Sequence, residues 1–337
     1  MNAAPPDQET IRAALALAIR APSVHNSQPW RWRVAEQTVQ LYADPERQLA
    51  HADPDRRDML VSCGVALQHF TVALAALGWH SHVQRFPNPA DPEHLATVQI
   101  GSRGTSEQDI ALAAAIPRRR TDRRWYSAWP VAPGDLALMA ARAARAGVAL
   151  RRVPGPLTAL MADAVREHAA DAEYLTELSI WSGRYDSLAG VPAHNAPAPD
   201  VDAAIPARAF ANPVLPQPRG AEARDDAGVV VVLATATDDA VAQLRGGEAA
   251  GVVLLTATAL GLSTCAVTEP LEIESIRKTV RATVLADEGY PQMLVRVGWA
   301  PVNADPLPAT PRRPLEDVVE QLNGAMPAGP GAAAIAG

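Results

Sequence analysis

Cysteine is scarce here: Cys63 and Cys265 are the only two among 337 residues. They cannot build a disulfide framework, so a reducing, cytoplasmic compartment is expected. Excess positive charge is missing too. The net charge is −7 and the isoelectric point about 5.6, which argues against a nucleic-acid partner. No uninterrupted apolar run reaches the roughly 18 residues of a membrane span, so no membrane partner is expected. Asp7 and Glu9 precede the first apolar stripe, where a secretory signal would carry basic residues. No glycine-rich phosphate loop of the Rossmann or P-loop kind appears. Gly261-Leu-Ser263-Thr-Cys265 lacks the second glycine of a nucleophile elbow. His80 and His82 supply two metal ligands, too few for a site. No residue reads as a dedicated acid, base or nucleophile.

Hydrophobic residues make up 48% of the chain and charged residues 20%, a globular composition with ample core. Ile11, Leu15 and Ile19 form a helical stripe that stops at Pro22. Ser23, His25, Asn26, Ser27 and Gln28 then crowd five hydrogen-bonding side chains into six positions. From Pro29 the pattern alternates. Trp30 and Trp32 point one way and Arg31 and Arg33 the other, as in a half-buried strand. Thr38–Tyr42 alternates as its hairpin partner. After Asp53-Pro54-Asp55 a helix is expected from about Arg56 to Leu77. Its apolar residues run nearly all round, the mark of a buried helix. Leu95–Ile100 reads as a strand ending at Gly101, and Glu107–Ile116 as a helix.

The second half repeats this order. Gly247-x13-Gly261 brackets another helix apolar all round, as Gly64-x13-Gly78 does in the first half, at one offset. Each is followed by a strand ending in glycine: Thr97-Val-Gln-Ile-Gly101 and Leu294-Val-Arg-Val-Gly298. An internal duplication is inferred. The halves nevertheless differ. Only the first holds the polar loop before Trp30. Only the second opens with Pro117-Arg118-Arg119-Arg120-Thr121-Asp122-Arg123-Arg124, where guanidinium groups around a hydroxyl can fork onto a phosphate.

Ala21-Pro22-Ser23-x-x-Asn26-x-Gln28-Pro29-Trp30 resembles a motif of the FMN-dependent nitroreductase family. In that family the segment touches the flavin from across a dimer interface. The likeness implies an FMN site at Pro22, Ser23, Val24, His25, Asn26 and Gln28. Arg119, Thr121 and Arg123 match the family's phosphate and ribityl element. Thr310-Pro311-Arg312-Arg313 resembles its C-terminal basic segment, which also reaches the phosphate. Thr268 and Glu269 fall where the family backbone passes the flavin N5. Over residues 10 to 320 the pattern is similar to the Acg family of fused nitroreductase-like proteins, associated with hypoxia and dormancy. This implies an α+β nitroreductase-like fold whose pseudo-repeated halves resemble a dimer, residues 9–110 and 111–320, with a flexible tail over 321–337. It also implies a monomer with one FMN.

Between Trp181 and Gly228 the sequence shows no period. It holds Pro192, Pro197, Pro199, Pro206, Pro213, Pro216 and Pro218, with Ile205, Phe210, Val214 and Leu215 among them. Ordered domains seldom keep so long a structureless stretch unless it is a lid or linker. Residues 183–225 are expected to form a lid, placed where a complete second half would hold its own copy of the polar loop. Two functions follow. One is FMN storage or redox sensing behind a lid. The other is an NAD(P)H-dependent oxidoreductase acting on a nitro, quinone or other small redox-active acceptor.

Overall fold

The computed structural model describes residues 6–35, 38–102, 104–155, 157–184, 187–200, 203 and 208–321. Ile205, Pro206 and the tail 322–337 lie outside them. Helix α1 (Gln8–Ala18) starts at Asp7, whose carboxylate accepts the Thr10 N–H at 2.7 Å and satisfies a free helix-end donor. Its stripe Ile11, Ala14, Leu15 and Ala18 is buried. Strands β1 (Trp30–Val34) and β2 (Thr38–Ala43) pair antiparallel. Trp30, Trp32, Val39, Leu41 and Ala43 face the core with the period of two that the sequence shows. Then come α2 (Arg57–Ala76), β3 (Trp79–Arg85), β4 (His94–Ser102) and α3 (Glu107–Ala115).

The second half runs α4 (Pro133–Ala144), β5 (Ala149–Arg152), α5 (Leu157–Ala169), α6 (Ala172–Ile180), β6 (Val229–Thr235) and α7 (Ala240–Ala259). It continues with β7 (Ser263–Val267), α8 (Glu269–Glu272), α9 (Glu274–Leu285), β8 (Tyr290–Gly298) and β9 (Val319–Gln321). Read outward from the strand after each long helix, one sheet runs β3-β4-β2-β1 and the other β7-β8-β6-β5. These neighbours are all antiparallel. The two halves thus share an order of elements, and the fold is α+β. β9 crosses back and adds to the first sheet, parallel to β1, with the Trp32 N–H donating to the Val318 carbonyl at 2.7 Å.

α2 and α7 pack on each other at the centre. α2 is long and apolar enough to cross a membrane, but most of it is buried inside the fold. Gly247 does not open α7, as its spacing from Gly261 had suggested, and Gly64 lies inside α2, which starts next to the expected Arg56. They sit at corresponding mid-helix positions where the backbones meet. A Cβ on Gly64 would lie 2.1 Å from the Leu244 oxygen, and one on Gly247 2.0 Å from the Val61 oxygen. Gly78 and Gly261 do end the helices, both at φ +87.

The proline-rich stretch is also placed differently. It lies inside the connection from β5 to β6. The connection equivalent to Arg20–Gln28 is the short turn between α4 and β5. The corresponding connection of the second half is therefore the shorter one, and the long insertion lies between two paired strands. Such a connection lies at the surface, where added length costs little closure entropy.

Candidate functional site

A cavity lies between the halves, lined by Pro22–His25, by α2, by Cys265–Glu269 and by Thr121 and Arg123. Arg208 and Phe210 of the long insertion close one wall. The loop Ser23–Gln28 is tightly wound. Ser23 Oγ accepts the Gln28 N–H at 2.9 Å, and the Val24 N–H donates to Ser62 Oγ at 3.0 Å. His25, Asn26 and Gln28 take positive φ of 43, 54 and 54. Three left-handed non-glycine residues in four are strained and persist only where other contacts hold them.

Arg208 supplies one such contact. It is buried and donates to His25 Nε2, Tyr174 OH, Thr268 Oγ1 and Glu272 Oε1. Because Nε2 accepts, the neutral imidazole carries its proton on Nδ1. Burial, with the charges of Arg208 and Arg123, holds the His25 pKa well below its usual range. Asn26 Nδ2 donates to the Gly190 carbonyl at 3.0 Å and to Pro311 O at 3.2 Å. Gln28 Nε2 donates to Leu188 O at 2.8 Å, and its Oε1 accepts the Arg313 N–H at 2.8 Å. Asn26 and Gln28 therefore hold neighbouring backbone and do not line the cavity.

A smaller cavity is lined by Arg20, Arg119, Arg120, Thr310 and Arg312. The two are neighbours, since Arg20–His25 and Arg119–Arg123 line both in the same order and Arg119 reaches Thr121 Oγ1 at 3.4 Å. No carboxylate among the described residues pairs with these four arginines. Nε of Arg20, Arg119 and Arg312 has no hydrogen-bond partner. Burial and mutual repulsion push Arg119 down to about 10 and Arg312 to about 9. Four gathered cations without an anion make a site complementary to a phosphate-like dianion. His69 is fully buried on α2 with neither ring nitrogen partnered, and these arginines hold its pKa low after burial does.

The other sequence-named residues divide. Arg123 belongs to the main cavity, over the Phe210 ring at 4.8 Å and donating to Asn195 O at 3.0 Å. Thr268 and Glu269 line the main cavity. Glu269 Oε1 meets His168 Nδ1 at 3.2 Å, and that imidazole stacks on Tyr174. Arg313 is turned away and pairs with Asp44 at 3.6 Å. Cys63 and Cys265 are buried free thiols. His80 and His82 are exposed on β3, and no metal-ligating cluster of three occurs among the described residues. Sequence reasoning missed Arg20, Asp58, Ser62 and Arg208. Arg20 adjoins the motif and could have been found from its position; Arg208 has no sequence signal. Burial raises Asp58 to about 6, against the pull of Arg57.

No family model matches the chain. Two proteins of Mycobacterium tuberculosis H37Rv do. "Putative NAD(P)H nitroreductase Rv3131" is 58% identical over 322 residues, covering 95% of this chain and 94% of that protein. "Putative NAD(P)H nitroreductase acg" is 38% identical over 318 residues, covering 92% and 95%. Among solved structures, a nitroreductase with bound FMN from Desulfitobacterium hafniense is 17% identical at a TM-score of 0.40, covering 63% of this chain and 98% of that one. With such identity along nearly its whole length, the chain belongs to the Acg family of nitroreductase-like proteins.

Proposed function

We propose that this protein holds one FMN beneath a lid and serves as an FMN store or redox sensor at low oxygen. The carrying observation is the cluster Arg20, Arg119, Arg120 and Arg312, which lacks any carboxylate and adjoins the cavity between Pro22–His25 and Cys265–Glu269. Its unpartnered buried Nε groups fit a terminal phosphate. Thr121 joins the two compartments, so a ribityl chain would pass it and the ring system would occupy the main cavity beside Arg123. Bound there, FMN would supply one- and two-electron redox chemistry; the protein supplies position and electrostatics.

The segment 183–225 acts as the lid. Arg208 and Phe210 form cavity wall, and Asn195 takes a hydrogen bond from Arg123. A covered ring excludes water and a face-to-face nicotinamide, which suits storage or sensing. Residues 9–110 and 111–320 act as the two sides of one site. The relatives' names favour a second reading, an NAD(P)H-dependent nitroreductase whose lid opens for nitro or quinone acceptors.

Purification followed by denaturation tests the proposal. The protein should be yellow and release FMN, not FAD. A colourless protein that takes up no added FMN would refute it. Anaerobic NADPH mixed with the loaded protein separates the two readings: slow bleaching supports storage, rapid bleaching the enzyme.

A further inference from the structure

Asn26 and Gln28 carry the most recognisable part of the sequence motif, yet neither lines the cavity. Their polar groups go instead to segments far along the chain. Asn26 Nδ2 takes the Gly190 carbonyl, and the Gly190 N–H returns to Asn26 O at 3.3 Å. Gln28 Nε2 takes Leu188 O at 2.8 Å. Arg208 reaches His25 from the same insertion. Arg47 donates to Ser27 O at 2.6 Å and lies over the Trp181 ring at 5.6 Å. His25, Asn26 and Gln28 are therefore tied directly to the insertion, and Ser27 only to Arg47. The three tied directly are also the three whose left-handed backbone needs outside support.

We infer that the insertion and the loop Ser23–Gln28 form a single cooperative unit, with Asn26, Gln28 and Arg208 as positioning residues that clamp the lid to the ligand loop. When the lid leaves, the loop loses the contacts to Leu188, Gly190 and Arg208 and keeps those to Arg47, Pro311 and Arg313, too few to hold its strained backbone, so ligand release and lid opening are one event. The converse also follows: a ligand seated against Pro22–His25 stabilises the closed lid through the loop, in addition to its own contact with Arg208 and Phe210. The inference rests on the lid reading above. It assigns the side chains of Asn26 and Gln28 to the cover and leaves the cavity wall to Pro22, Ser23, Val24 and His25.

Native-state hydrogen exchange in low urea tests this on the unmodified chain without ligand. The probes are the bonded amides of Asn26, Ser27 and Gln28 on one side and of Gly190, Val191 and Asn195 on the other. One unit gives both sets a common opening free energy and a common urea slope, below those of α2 and α7. Two separate openings would overturn the inference. Arg208→Ala removes a buried charge-assisted contact and should speed exchange of both sets by the same factor, about tenfold or more. A rise in residues 187–200 alone would also overturn it. Saturating FMN should slow both sets together. If the chain takes up no FMN while the ligand-free sets still open as one, the FMN proposal fails and the coupling stands.

Discussion

At the residue scale, charge without a partner carries the proposed phosphate site. Arg119 and Arg312 are buried among like charges. Each should lose about 1.5–3 kcal/mol of FMN affinity on change to alanine, the range for a charge-assisted hydrogen bond. Riboflavin, which lacks the phosphate, should bind both variants as it binds the parent; isothermal titration with both ligands checks this. The ligand-free Arg312→Ala protein should also melt no lower than the parent, because a repulsion has been removed along with the side chain. Asp53 gives a pH prediction. Burial and then Asp58 raise its pKa to about 8, although it accepts the Asp58 and Met59 N–H groups. A carboxyl raised on folding contributes stability that is complete below its unfolded value of about 3.9 and is lost as pH rises through the folded value. Melting temperature should therefore fall between about pH 5 and 8, and Asp53→Asn should flatten that fall.

At the element scale, the crossing of α2 and α7 shapes the main cavity, which Val61, Val65 and Leu254 line. Gly64→Ala and Gly247→Ala each drive a methyl into backbone oxygen and should cost about 1–3 kcal/mol in urea unfolding. Gly251→Ala meets the side chains of Gln68 and Val65 and no backbone oxygen, and should cost less. These two helices were legible in the sequence because apolar residues encircle them. α4 and α6 were not, since each buries only a pair: Met139 with Ala143, and Tyr174 with Leu178. β6 is Val-rich and buried on both faces, so it shows no alternation to read. The loop and the arginine run could be read as chemistry from local spacing. The partners of Asn26 and Gln28 could not, because Leu188, Gly190 and Pro311 are brought in only by tertiary folding.

At the scale of the whole molecule, one chain supplies both walls of the cavity, Pro22–His25 from one half and Thr121, Arg123 and Cys265–Glu269 from the other. We expect one FMN per chain and a monomer by light scattering, since the helix packing that a dimer would need is already satisfied internally. Two FMN per chain would contradict this. Replacing residues 186–222 with a short Gly/Ser linker should expose the ring and raise its rate of reduction by NADPH in stopped flow. An unchanged rate would show that the insertion does not limit access.

β9, the last described strand, closes the sheet that begins with β1, and Arg312 lies just before it. On the ribosome, this order has a cost in time. α2 leaves the exit tunnel with its apolar surface bare, and its partner α7 follows only after the whole insertion has been made. At about 5–20 residues per second the delay is of order ten seconds or more. The first half therefore waits on the second for the cover of α2. Arg312, the last of the four clustered arginines, emerges later still, so the cluster is complete only when β9 alone of the described strands and α-helices remains to be made.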